Sequence, residues 1–313
     1  MTKDSQMRVA LINQGPRLDF LDTRLQEVLP AAELVHWPDP GAMEAEIAVC
    51  WNPEHGTLAR MRKLRLVHSI GAGVDNLMAD PGLPDVPVCR IRDDDLAVAM
   101  AEYCHWSVLW FQRGFDRIVA QQAARRWDRF AQRPAADCRV GILGLGSIGQ
   151  VVARRLADLG YPVSGWSRGA KSIPGITCLH GTQGLQAVLE NADVLICLLP
   201  LTPSTRGLLD QARLSQLPRG AGLVLCSRGE HLVAPDLLAL IAQGQLAGAV
   251  LDVFEQEPLP ADHPLWAEPR VLVTPHMAAL TKPRRIAEQI AENIRRLDAR
   301  LPLLNLVDRT NGY

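Results

Sequence analysis

The sequence predicts an α/β protein with two doubly wound parallel sheets, and two stretches of alternating strands and helices carry this prediction. In residues 8–69, short apolar runs alternate with helical patterns, which is the rhythm of parallel strands joined by crossover helices. The rhythm restarts near residue 139 with an apolar run, a glycine-rich turn and an amphipathic stretch. Since a parallel sheet needs helices on both faces, each stretch predicts a separate domain of this 313-residue chain.

The first stretch contains four strand-like runs before the pattern changes after Val88-Cys89-Arg90. A long apolar-rich segment from residue 96 to about residue 122 then predicts a helix that leads to the second sheet. Three aspartates precede this helix as candidates for a metal site or for capping, and charge complementarity at a helix N-terminus favours capping. The aspartates are Asp93, Asp94 and Asp95, and the strand-like runs are residues 8–12, 33–37, 47–50 and 66–69.

A glycine-rich turn opens the second sheet, between the apolar run 140–143 and the amphipathic stretch 150–159. In a dinucleotide-binding turn, the first glycine permits a tight bend, the second lets the backbone approach a pyrophosphate, and the third lets helix and strand pack closely. The alternative is a glycine-rich loop without a ligand, but the strand before it and the helix after it favour the dinucleotide turn. The predicted cofactor contacts in the turn are Gly144, Gly146, Ser147, Ile148 and Gly149.

Six strand-like runs make up the second sheet, the number in a complete dinucleotide-binding fold. A last helix, at about residues 283–297, follows the completed sheet, so we expect the tail to return to the first domain. We therefore predict a substrate domain in two parts, residues 1–97 and 284–313, around a cofactor domain of residues 98–283. The six runs are residues 140–143, 162–166, 194–198, 222–226, 249–252 and 271–273.

Composition and charge exclude several classes of partner. The formal net charge is −1 and the sequence pI is about 6.7, so there is no overall attraction to nucleic acid or anionic lipid. No apolar stretch is long enough to cross a bilayer, and the polar N-terminus has no secretory apolar core. The seven cysteines form no C-x-x-C pair, which indicates buried reduced thiols in a cytoplasmic protein. We expect no nucleic acid, membrane or metal partner.

The tip of the second strand of this sheet predicts the cofactor. A site for NAD usually carries an acidic residue there that binds the ribose hydroxyls, and this chain has Trp166, Ser167 and Arg168, followed by Lys171. Arginine, lysine and a serine hydroxyl provide charge-assisted hydrogen bonds to a 2′-phosphate. We therefore expect NADP(H) to be preferred, with NAD(H) as a second cofactor. The alternative is a solvated basic loop that binds nothing.

Three ionisable residues follow successive strands of the second sheet. They are Arg228, Glu257 and His276, and the carboxyl ends of parallel strands form the ligand crevice of an open α/β sheet. An arginine holds a carboxylate and polarises a carbonyl, a histidine delivers a proton, and a carboxylate orients the imidazole. Glu255 competes with Glu257 for the third role. Trp51 is a candidate for the substrate pocket, because it follows a strand of the first sheet.

With these segments in place, the chain resembles the D-2-hydroxyacid dehydrogenase family, and most closely its branch of NADPH-preferring glyoxylate/hydroxypyruvate reductases of type A. The matching segments occur in the family's order around the same glycine turn. One departure is Ser227, which stands where the family's lead-in to the catalytic arginine has alanine. The matching segments are residues 69–75, 100–103, 199–208, 251–254, 257–260, 263–266 and 274–276.

The resemblance implies a Rossmann cofactor domain inserted into a flavodoxin-like substrate domain, and a homodimer built through the cofactor domain. It also implies that Arg228, Glu257 and His276 are the catalytic set, with His276 as the general acid in reduction. Backbone N–H groups near Ala72, Gly73 and Val74 would share the substrate carboxylate with Arg228. Further cofactor contacts that it implies are Leu199, Pro200, Thr205, Ser227 and Asp252.

The function expected from the residues and the resemblance together is NADPH-dependent reduction of small 2-oxo acids, such as glyoxylate and hydroxypyruvate, to D-2-hydroxy acids. Two alternatives stay open. One is another member of the family, such as a lactate, phosphoglycerate or phosphite dehydrogenase. The other is a non-catalytic dinucleotide-sensing corepressor on the same fold, although the chain has no long disordered tails for recruiting partners.

Overall fold

The computed structural model describes residues 6–309, which divide into two compact units. Unit 1 consists of the residues up to Asp93 and those from Thr281 onward, and unit 2 is the segment Asp94–Leu280. Each unit is built on a parallel sheet, so the predicted α/β class, with one parallel-sheet domain inserted into another, is confirmed. The predicted boundaries at residues 97/98 and 283/284 stay a prediction.

The strands of the described residues are numbered in chain order. In unit 1 they are β1 (Arg8–Ile12), β2 (Glu33–His36), β3 (Ile47–Cys50), β4 (Leu66–Ser69) and β5 (Val88–Cys89). In unit 2 they are β6 (Val140–Leu143), β7 (Val163–Ser167), β8 (Thr177–His180), β9 (Val194–Cys197), β10 (Ala221–Leu225), β11 (Leu246–Leu251) and β12 (Val271–Val273).

The α-helices of the described residues are numbered in the same way, and short 3-10 turns lie between some of them. They are α1 (Asp22–Val28), α2 (Asp75–Met78), α3 (Asp94–Gln112), α4 (Phe115–Ala123), α5 (Ser147–Asp158), α6 (Gly181–Asn191), α7 (Gln211–Leu214), α8 (Ala234–Ala242) and α9 (Pro283–Asp298).

The sheet of unit 1 has the strand order β2-β1-β3-β4-β5, which is the flavodoxin-like order. Alternate residues of β1 pack on opposite faces, so Val9 and Leu11 belong to one buried cluster and Ala10 and Ile12 to the other. Helices α1 and α9 cover the first face. A sheet buried on both faces needs apolar residues at every position of its central strands, which is why these runs were recognisable in the sequence.

The C-terminal tail is fixed to unit 1 through buried polar contacts. Asn293 of α9 donates from Nδ2 to His68 Nε2 at 3.1 Å, and His68 Nδ1 lies 2.8 Å from the carbonyl oxygen of Ser69. The side-chain oxygen of Asn293 accepts from the N–H of Leu304 at 2.7 Å. An antiparallel bridge between Cys89 and Leu306 then joins the tail to β5. The return of the tail to the first domain follows from these contacts.

The sheet of unit 2 has the strand order β12-β11-β10-β9-β6-β7-β8. The parallel strands β9 and β6 are neighbours at the point where the strand order reverses, and a crevice forms there at their carboxyl ends. This sheet has seven strands, one more than the six predicted. The additional strand is β8, which pairs only with β7 in the described sheet and is largely exposed. An exposed edge strand lacks the apolar run by which the other strands were recognised.

The long helix predicted from residue 96 to about residue 122 is two helices. Helix α3 starts with Asp94 and Asp95 in its first turn, where negative charge complements the helix dipole. The chain then turns at Gly114, whose φ of +64° is left-handed, and continues as α4. A Cβ atom at Gly114 would lie 2.9 Å from the ring of Phe130, so the break is fixed by packing as well as by backbone conformation.

Among the helices of residues 6–309, none combines the length and the apolar character that a membrane span requires. All seven cysteines are free thiols, and six of them are buried.

Candidate active site

The glycine turn of unit 2 leads from β6 into α5, and its three glycines have different surroundings. Gly144 has a φ of +107°, and a Cβ there would lie 2.7 Å from the carbonyl oxygen of Leu198. A Cβ at Gly149 would lie 1.8 Å from the carbonyl oxygen of Gly144. By contrast, a Cβ at Gly146 would have no heavy atom within 4 Å among the described residues. Protein atoms therefore fill the space beside Gly144 and Gly149, whereas the space beside Gly146 is open.

The open side of this turn suits an anion. Helix α5 has no side-chain cap at its N-terminus, so the N–H groups of Ser147, Ile148 and Gly149 have no acceptor within the helix. Such groups, together with the helix dipole, bind phosphate. The space beside Gly146 and the N–H groups at the start of α5 are thus on the same turn, and the cofactor contacts of the turn stay a prediction.

The residues predicted to determine the preference for NADP(H) over NAD(H) lie at the tip of β7. Arg168 and Lys171 are exposed, whereas Ser167 is buried and its hydroxyl donates to the carbonyl oxygen of Gly169 at 2.8 Å. Trp166 is held by a hydrogen bond from its indole N–H to the carbonyl oxygen of Gly181 at 2.8 Å. The two cationic side chains thus project from a strand tip that is itself fixed by local hydrogen bonds.

The loop after β9 contains the predicted contacts Leu199, Pro200 and Thr205. The Thr205 hydroxyl donates to the carbonyl oxygen of Pro200 at 2.8 Å and accepts from the N–H of Thr202 at 2.9 Å. Leu199 is buried in the core of unit 2. Thr205 therefore stabilises the shape of the loop, and its hydroxyl is engaged within the protein.

The decisive contact of the candidate site joins two residues that are 19 positions apart. His276 Nδ1 lies 2.7 Å from Glu257 Oε2, and both side chains are about one-third exposed. The other oxygen of Glu257 accepts from the N–H of Phe254 at 2.9 Å. The carboxylate that contacts the histidine is thus that of Glu257, which leaves no such contact for its competitor Glu255.

The charge state of Glu257 follows from its neighbours. Burial raises the pKa of this carboxyl, but the hydrogen bond and charge of His276, the N–H of Phe254 and the charge of Arg228 together outweigh burial. The pKa of Glu257 therefore lies below its usual value, and the group is a carboxylate at neutral pH. Arg228 is close enough to act on Glu257, so the three predicted catalytic residues form one electrostatic cluster.

The turn that carries Arg228 follows β10 and is packed tightly against the segment that precedes Glu257. A Cβ at Gly229 would lie 1.9 Å from the carbonyl carbon of Phe254, so glycine is required for the two segments to approach. The Arg228 guanidinium donates to the carbonyl oxygen of Ser227 at 2.7 Å. The close packing at Gly229 and this hydrogen bond fix the position of the Arg228 backbone.

His231 is a buried residue beneath this turn that the sequence reasoning missed. Its Nδ1 lies 2.9 Å from the carbonyl oxygen of Arg228 and 3.1 Å from the Ser227 hydroxyl, and its Nε2 lies 3.3 Å from the carbonyl oxygen of Pro200. The imidazole thus connects the turn that carries Arg228 to the loop after β9. No motif signalled this role, because a single histidine three residues after Arg228 has no pattern of its own.

Asp252 and Ser227, both predicted near the nicotinamide, are buried and engaged with protein groups. The two Asp252 carboxylate oxygens accept from Thr274, Met277 and Ala278. The Ser227 hydroxyl lies 3.4 Å from the sulfur of Cys197. Their side chains therefore bind other protein groups, and any cofactor contact of these residues stays a prediction.

In unit 1, the predicted substrate loop is residues 71–74, whose carbonyl groups all point to protein donors. The carbonyl oxygen of Gly71 accepts from the N–H of Ile91 at 3.0 Å, and that of Ala72 accepts from the Arg90 guanidinium at 3.2 Å. The Ser69 hydroxyl lies 3.4 Å from the carbonyl oxygen of Gly73. The N–H of Gly71 donates to the Ser69 hydroxyl at 3.1 Å, and binding of a ligand by the other N–H groups of the loop stays a prediction.

Trp51 lies beside the same loop in unit 1. A Cβ at Gly71 would lie 2.2 Å from the indole ring, so the ring packs directly on the loop backbone. Asn76 donates to the carbonyl oxygen of Trp51 at 2.5 Å. The predicted substrate residues of unit 1, namely Trp51, Ala72, Gly73 and Val74, are therefore neighbours.

One group of side chains in residues 6–309 has ligand atoms close enough together for a metal ion, namely Asp19, Asp22 and His36 of unit 1. His36 Nε2 lies 2.9 Å from an Asp22 oxygen, and His36 Nδ1 lies 3.5 Å from an Asp19 oxygen. Only Nε2 has hydrogen-bond geometry to a carboxylate, and the buried Nδ1 has no hydrogen-bond partner among the described residues. A metal ion would use only one of these nitrogens.

Comparison with known proteins places this geometry in a family. Residues 106–278 match the NAD binding domain of the D-isomer specific 2-hydroxyacid dehydrogenases. The chain belongs to this family. The resemblance recognised from the sequence motifs is thereby confirmed, and the chain is an oxidoreductase of the 2-hydroxyacid dehydrogenase type.

Relatives of this dehydrogenase cover nearly its whole length. A protein from Serratia proteamaculans (strain 568), named glyoxylate/hydroxypyruvate reductase A, is 41% identical over 295 residues, which cover 92% of this chain and 94% of the relative. A D-isomer specific 2-hydroxyacid dehydrogenase from Xanthobacter autotrophicus Py2, solved in complex with NADPH and MES, has a TM-score of 0.90 at 40% identity and covers 99% of this chain and 100% of its own.

A third similar protein is the NADPH-dependent glyoxylate/hydroxypyruvate reductase from Sinorhizobium meliloti, solved in complex with NADP and sulfate. It has a TM-score of 0.90 at 35% identity, and the match covers 98% of this dehydrogenase and 100% of the other chain. The fold of both units is therefore the fold of solved 2-hydroxyacid dehydrogenases.

Proposed function

We propose that the protein reduces small 2-oxo acids, glyoxylate and hydroxypyruvate among them, to D-2-hydroxy acids, with NADPH as its preferred cofactor. The observation that carries the proposal is the 2.7 Å contact between His276 Nδ1 and Glu257 Oε2, within reach of the Arg228 charge. The substrate class is supported by the names of relatives about 40% identical, which are glyoxylate/hydroxypyruvate reductases.

The glycine turn fits a dinucleotide. The space beside Gly146 and the N–H groups at the start of α5 suit the pyrophosphate, and the exposed Arg168 and Lys171 suit a 2′-phosphate. Structures of relatives that contain NADPH or NADP support the same choice. When it is bound, NADPH supplies the hydride that reduces the carbonyl carbon of the substrate.

His276 is proposed to donate the proton that the reduced carbonyl oxygen requires. Because Nδ1 faces Glu257, we assign the donation to Nε2. The ionised carboxylate of Glu257 orients the ring and stabilises its charged form. The guanidinium of Arg228 binds the substrate carboxylate and, as negative charge grows on the carbonyl oxygen, stabilises that charge.

Residues 72–74 of unit 1 are proposed to bind the substrate carboxylate through their backbone. In the described part of the chain, no acceptor is paired with the N–H groups of Ala72, Gly73 or Val74. The carbonyl groups of residues 71–73 are bound to Ile91, Arg90 and Ser69, which keeps the N–H groups directed away from them. Successive N–H groups of this kind form an anion-binding concavity.

We further propose a cytoplasmic homodimer that associates through unit 2. Its surface has an exposed apolar region on α3, α4 and the segment that follows, where Trp106, Phe115, Val119 and Trp127 are 41%, 43%, 52% and 91% exposed. Ring contacts run from Trp106 through Trp110 to Phe115, and exposed apolar surface of this kind is typical of subunit interfaces. Light scattering on the intact chain measures the assembly. Six buried free thiols support a reducing compartment.

The proposal is tested by following the loss of reduced nicotinamide with NADPH or NADH against glyoxylate, hydroxypyruvate, pyruvate and phosphohydroxypyruvate. We expect the highest kcat/KM with NADPH and with glyoxylate and hydroxypyruvate, the two acids in the names of the relatives. His276→Ala is expected to lower kcat by about 10²-fold or more with little change in the Kd of NADPH.

His55→Ala, at an exposed position of unit 1, is the matched histidine control and should leave kcat unchanged. A near-normal rate for His276→Ala would reject the assignment of the proton donor. Equal or better efficiency with NADH would reject the cofactor preference, and turnover of none of the four acids would reject the reductase function itself.

A further inference from the structure

The histidine loop, residues 274–278, is attached to the buried residue Asp252 at several points. The N–H of His276 donates to the main-chain carbonyl oxygen of Asp252 at 2.9 Å. The N–H groups of Met277 and Ala278 donate to the two side-chain oxygens of Asp252, each at 2.9 Å. His276 itself has a φ of +50°, an unusual conformation for a residue with a side chain, which persists only when surrounding contacts hold it.

Asp252 is only 1% exposed, so its charge depends on hydrogen bonds. A buried carboxylate without sufficient donors is strongly unfavourable. Besides the two loop N–H groups, its third donor is the hydroxyl of Thr274, at 2.6 Å from Oδ1. Thr274 therefore joins the start of the histidine loop to the same carboxylate that holds its end.

Tyr103 of α3 completes the chain of hydrogen bonds. Its hydroxyl oxygen lies 2.6 Å from Thr274 Oγ1. Because a carboxylate only accepts, the Thr274 proton goes to Asp252, and Thr274 Oγ1 then accepts from the Tyr103 hydroxyl. Burial raises the pKa of Tyr103, so the phenol keeps its proton and remains the donor at neutral pH.

We propose that Tyr103 and Thr274 are positioning residues for His276, acting through Asp252 to hold the histidine loop in its left-handed conformation. The inference rests on the proposed function, since it specifies how the proposed proton donor is held. Neither side chain needs to touch the substrate. Displacing a catalytic group by about 1 Å has a large effect on rate, so a loosened loop lowers kcat even when binding is intact.

Activity measurements with four variants test the proposal. Tyr103→Phe and Thr274→Val each remove one hydroxyl, and each is expected to lower kcat about three- to tenfold, the scale of one hydrogen bond, with the KM for NADPH unchanged. Thr274→Ser keeps the hydroxyl and is expected to recover most of the loss. Because the two bonds act in series, the double variant should lose little more than Thr274→Val alone.

Tyr161→Phe is the matched control. The Tyr161 hydroxyl also donates to a side chain, Gln112 Oε1, at 2.5 Å, but it has no bond to the histidine loop in the described structure. This variant should keep the wild-type kcat. A loss in Tyr161→Phe equal to that in Tyr103→Phe, or a Thr274→Ser rate as low as that of Thr274→Val, would overturn the positioning role in favour of general destabilisation.

Hydrogen exchange provides a readout that does not depend on activity. The amide protons of Met277 and Ala278 are bound to Asp252, so a peptide spanning residues 272–280 should exchange faster in Thr274→Val than in Thr274→Ser or wild type. An inactive wild-type protein with this difference would reject the proposed function and keep the loop contact. An active wild-type protein with equal exchange and equal kcat in all variants would overturn the inference.

Discussion

At the scale of single residues, the candidate site depends on which groups carry charge. Glu257 is ionised because His276, the N–H of Phe254 and the Arg228 charge offset the effect of burial on its pKa. An ionised Glu257 favours the protonated form of the imidazole that it contacts, and reduction of a carbonyl needs a proton donor at that position. The contact therefore places a carboxylate beside the group that is proposed to donate the proton.

The first prediction concerns the pH dependence of reduction. Glu257→Gln keeps the shape of the side chain but removes its negative charge, so the imidazolium form of His276 loses a stabilising partner. The pH above which kcat/KM for the oxo acid falls is expected to be lower than in the wild type. Rates measured from mildly acidic to alkaline pH check this.

Glu255→Gln is the control for that measurement, because Glu255 is an exposed carboxylate two residues away in the same segment. Its pH profile should match that of the wild type. The interpretation would be wrong if Glu255→Gln moved the profile equally, or if Glu257→Gln did not move it.

Much of this site was predictable from residue type and order, and the rest was not, for a physical reason. Arg228, Glu257 and His276 were recognisable because each is an ionisable residue just after a strand. His231 and Tyr103 act through contacts with main-chain or hydroxyl groups of residues distant in sequence. A side chain that donates to a carbonyl or hydroxyl distant along the chain leaves no local pattern in the sequence.

At the scale of elements, the β6–α5 turn needs close packing at one glycine and open space at another. Gly149 allows close packing against Gly144, whereas Gly146 faces open space. Substitution at these two glycines should therefore separate folding from cofactor binding. The turn was the clearest signal in the sequence because a strand, three spaced glycines and a helix occur together.

The second prediction compares Gly146→Ala with Gly149→Ala. The methyl group of Gly146→Ala meets no protein atom, so the free energy of unfolding should change by less than about 0.5 kcal/mol, while the Kd of NADPH rises about tenfold or more because the methyl group takes up space that the pyrophosphate needs. Urea unfolding and fluorescence titration measure the two effects.

In Gly149→Ala the new Cβ would lie 1.8 Å from the carbonyl oxygen of Gly144, and the expected loss is about 1–3 kcal/mol of unfolding free energy. The two variants thus serve as controls for each other. Unchanged NADPH binding by a stably folded Gly146→Ala variant would contradict the assignment of this space to the cofactor.

Element boundaries were harder to predict where packing, not pattern, decides them. The segment of residues 96–122 has one continuous apolar pattern, yet Gly114 divides it, because the ring of Phe130 occupies the space beside that residue. Strand β8 has only partly buried or exposed residues, so its presence depends on pairing with β7. Both features arise from partners distant in sequence.

At the scale of the whole molecule, unit 1 is assembled from two separate pieces of chain. The buried pair His68 and Asn293 links them, and both ring nitrogens of His68 have partners when the ring is neutral. Burial lowers the pKa of His68 to about 4. The neutral ring therefore belongs to the folded state, and protonation of the ring favours unfolding.

The third prediction is an acid-dependent loss of stability. The folded pKa of His68 is below its unfolded value of about 6.5, so the unfolded chain binds more protons between those two values, and stability falls as pH decreases from about 6.5 to about 4. The expected contribution is about 3 kcal/mol. His68→Gln should remove this part of the slope in urea unfolding measured at several pH values.

Comparison with wild type at neutral pH is the control, because the neutral histidine and glutamine both satisfy their polar neighbours there. A pH slope in His68→Gln as steep as that of the wild type would contradict the role of this histidine. The slope that remains would then belong to other groups, such as the buried His231, whose pKa burial also lowers.

The insertion of unit 2 between the two pieces of unit 1 imposes an order on biosynthesis. As the polypeptide emerges from the ribosome, residues 94–280 are complete before α9 has been translated. The early sheet of unit 1 must meanwhile leave exposed the face that α9 will cover. The nascent protein therefore passes through a stage in which unit 2 is fully synthesised and able to fold, while the first part of unit 1 still lacks α9.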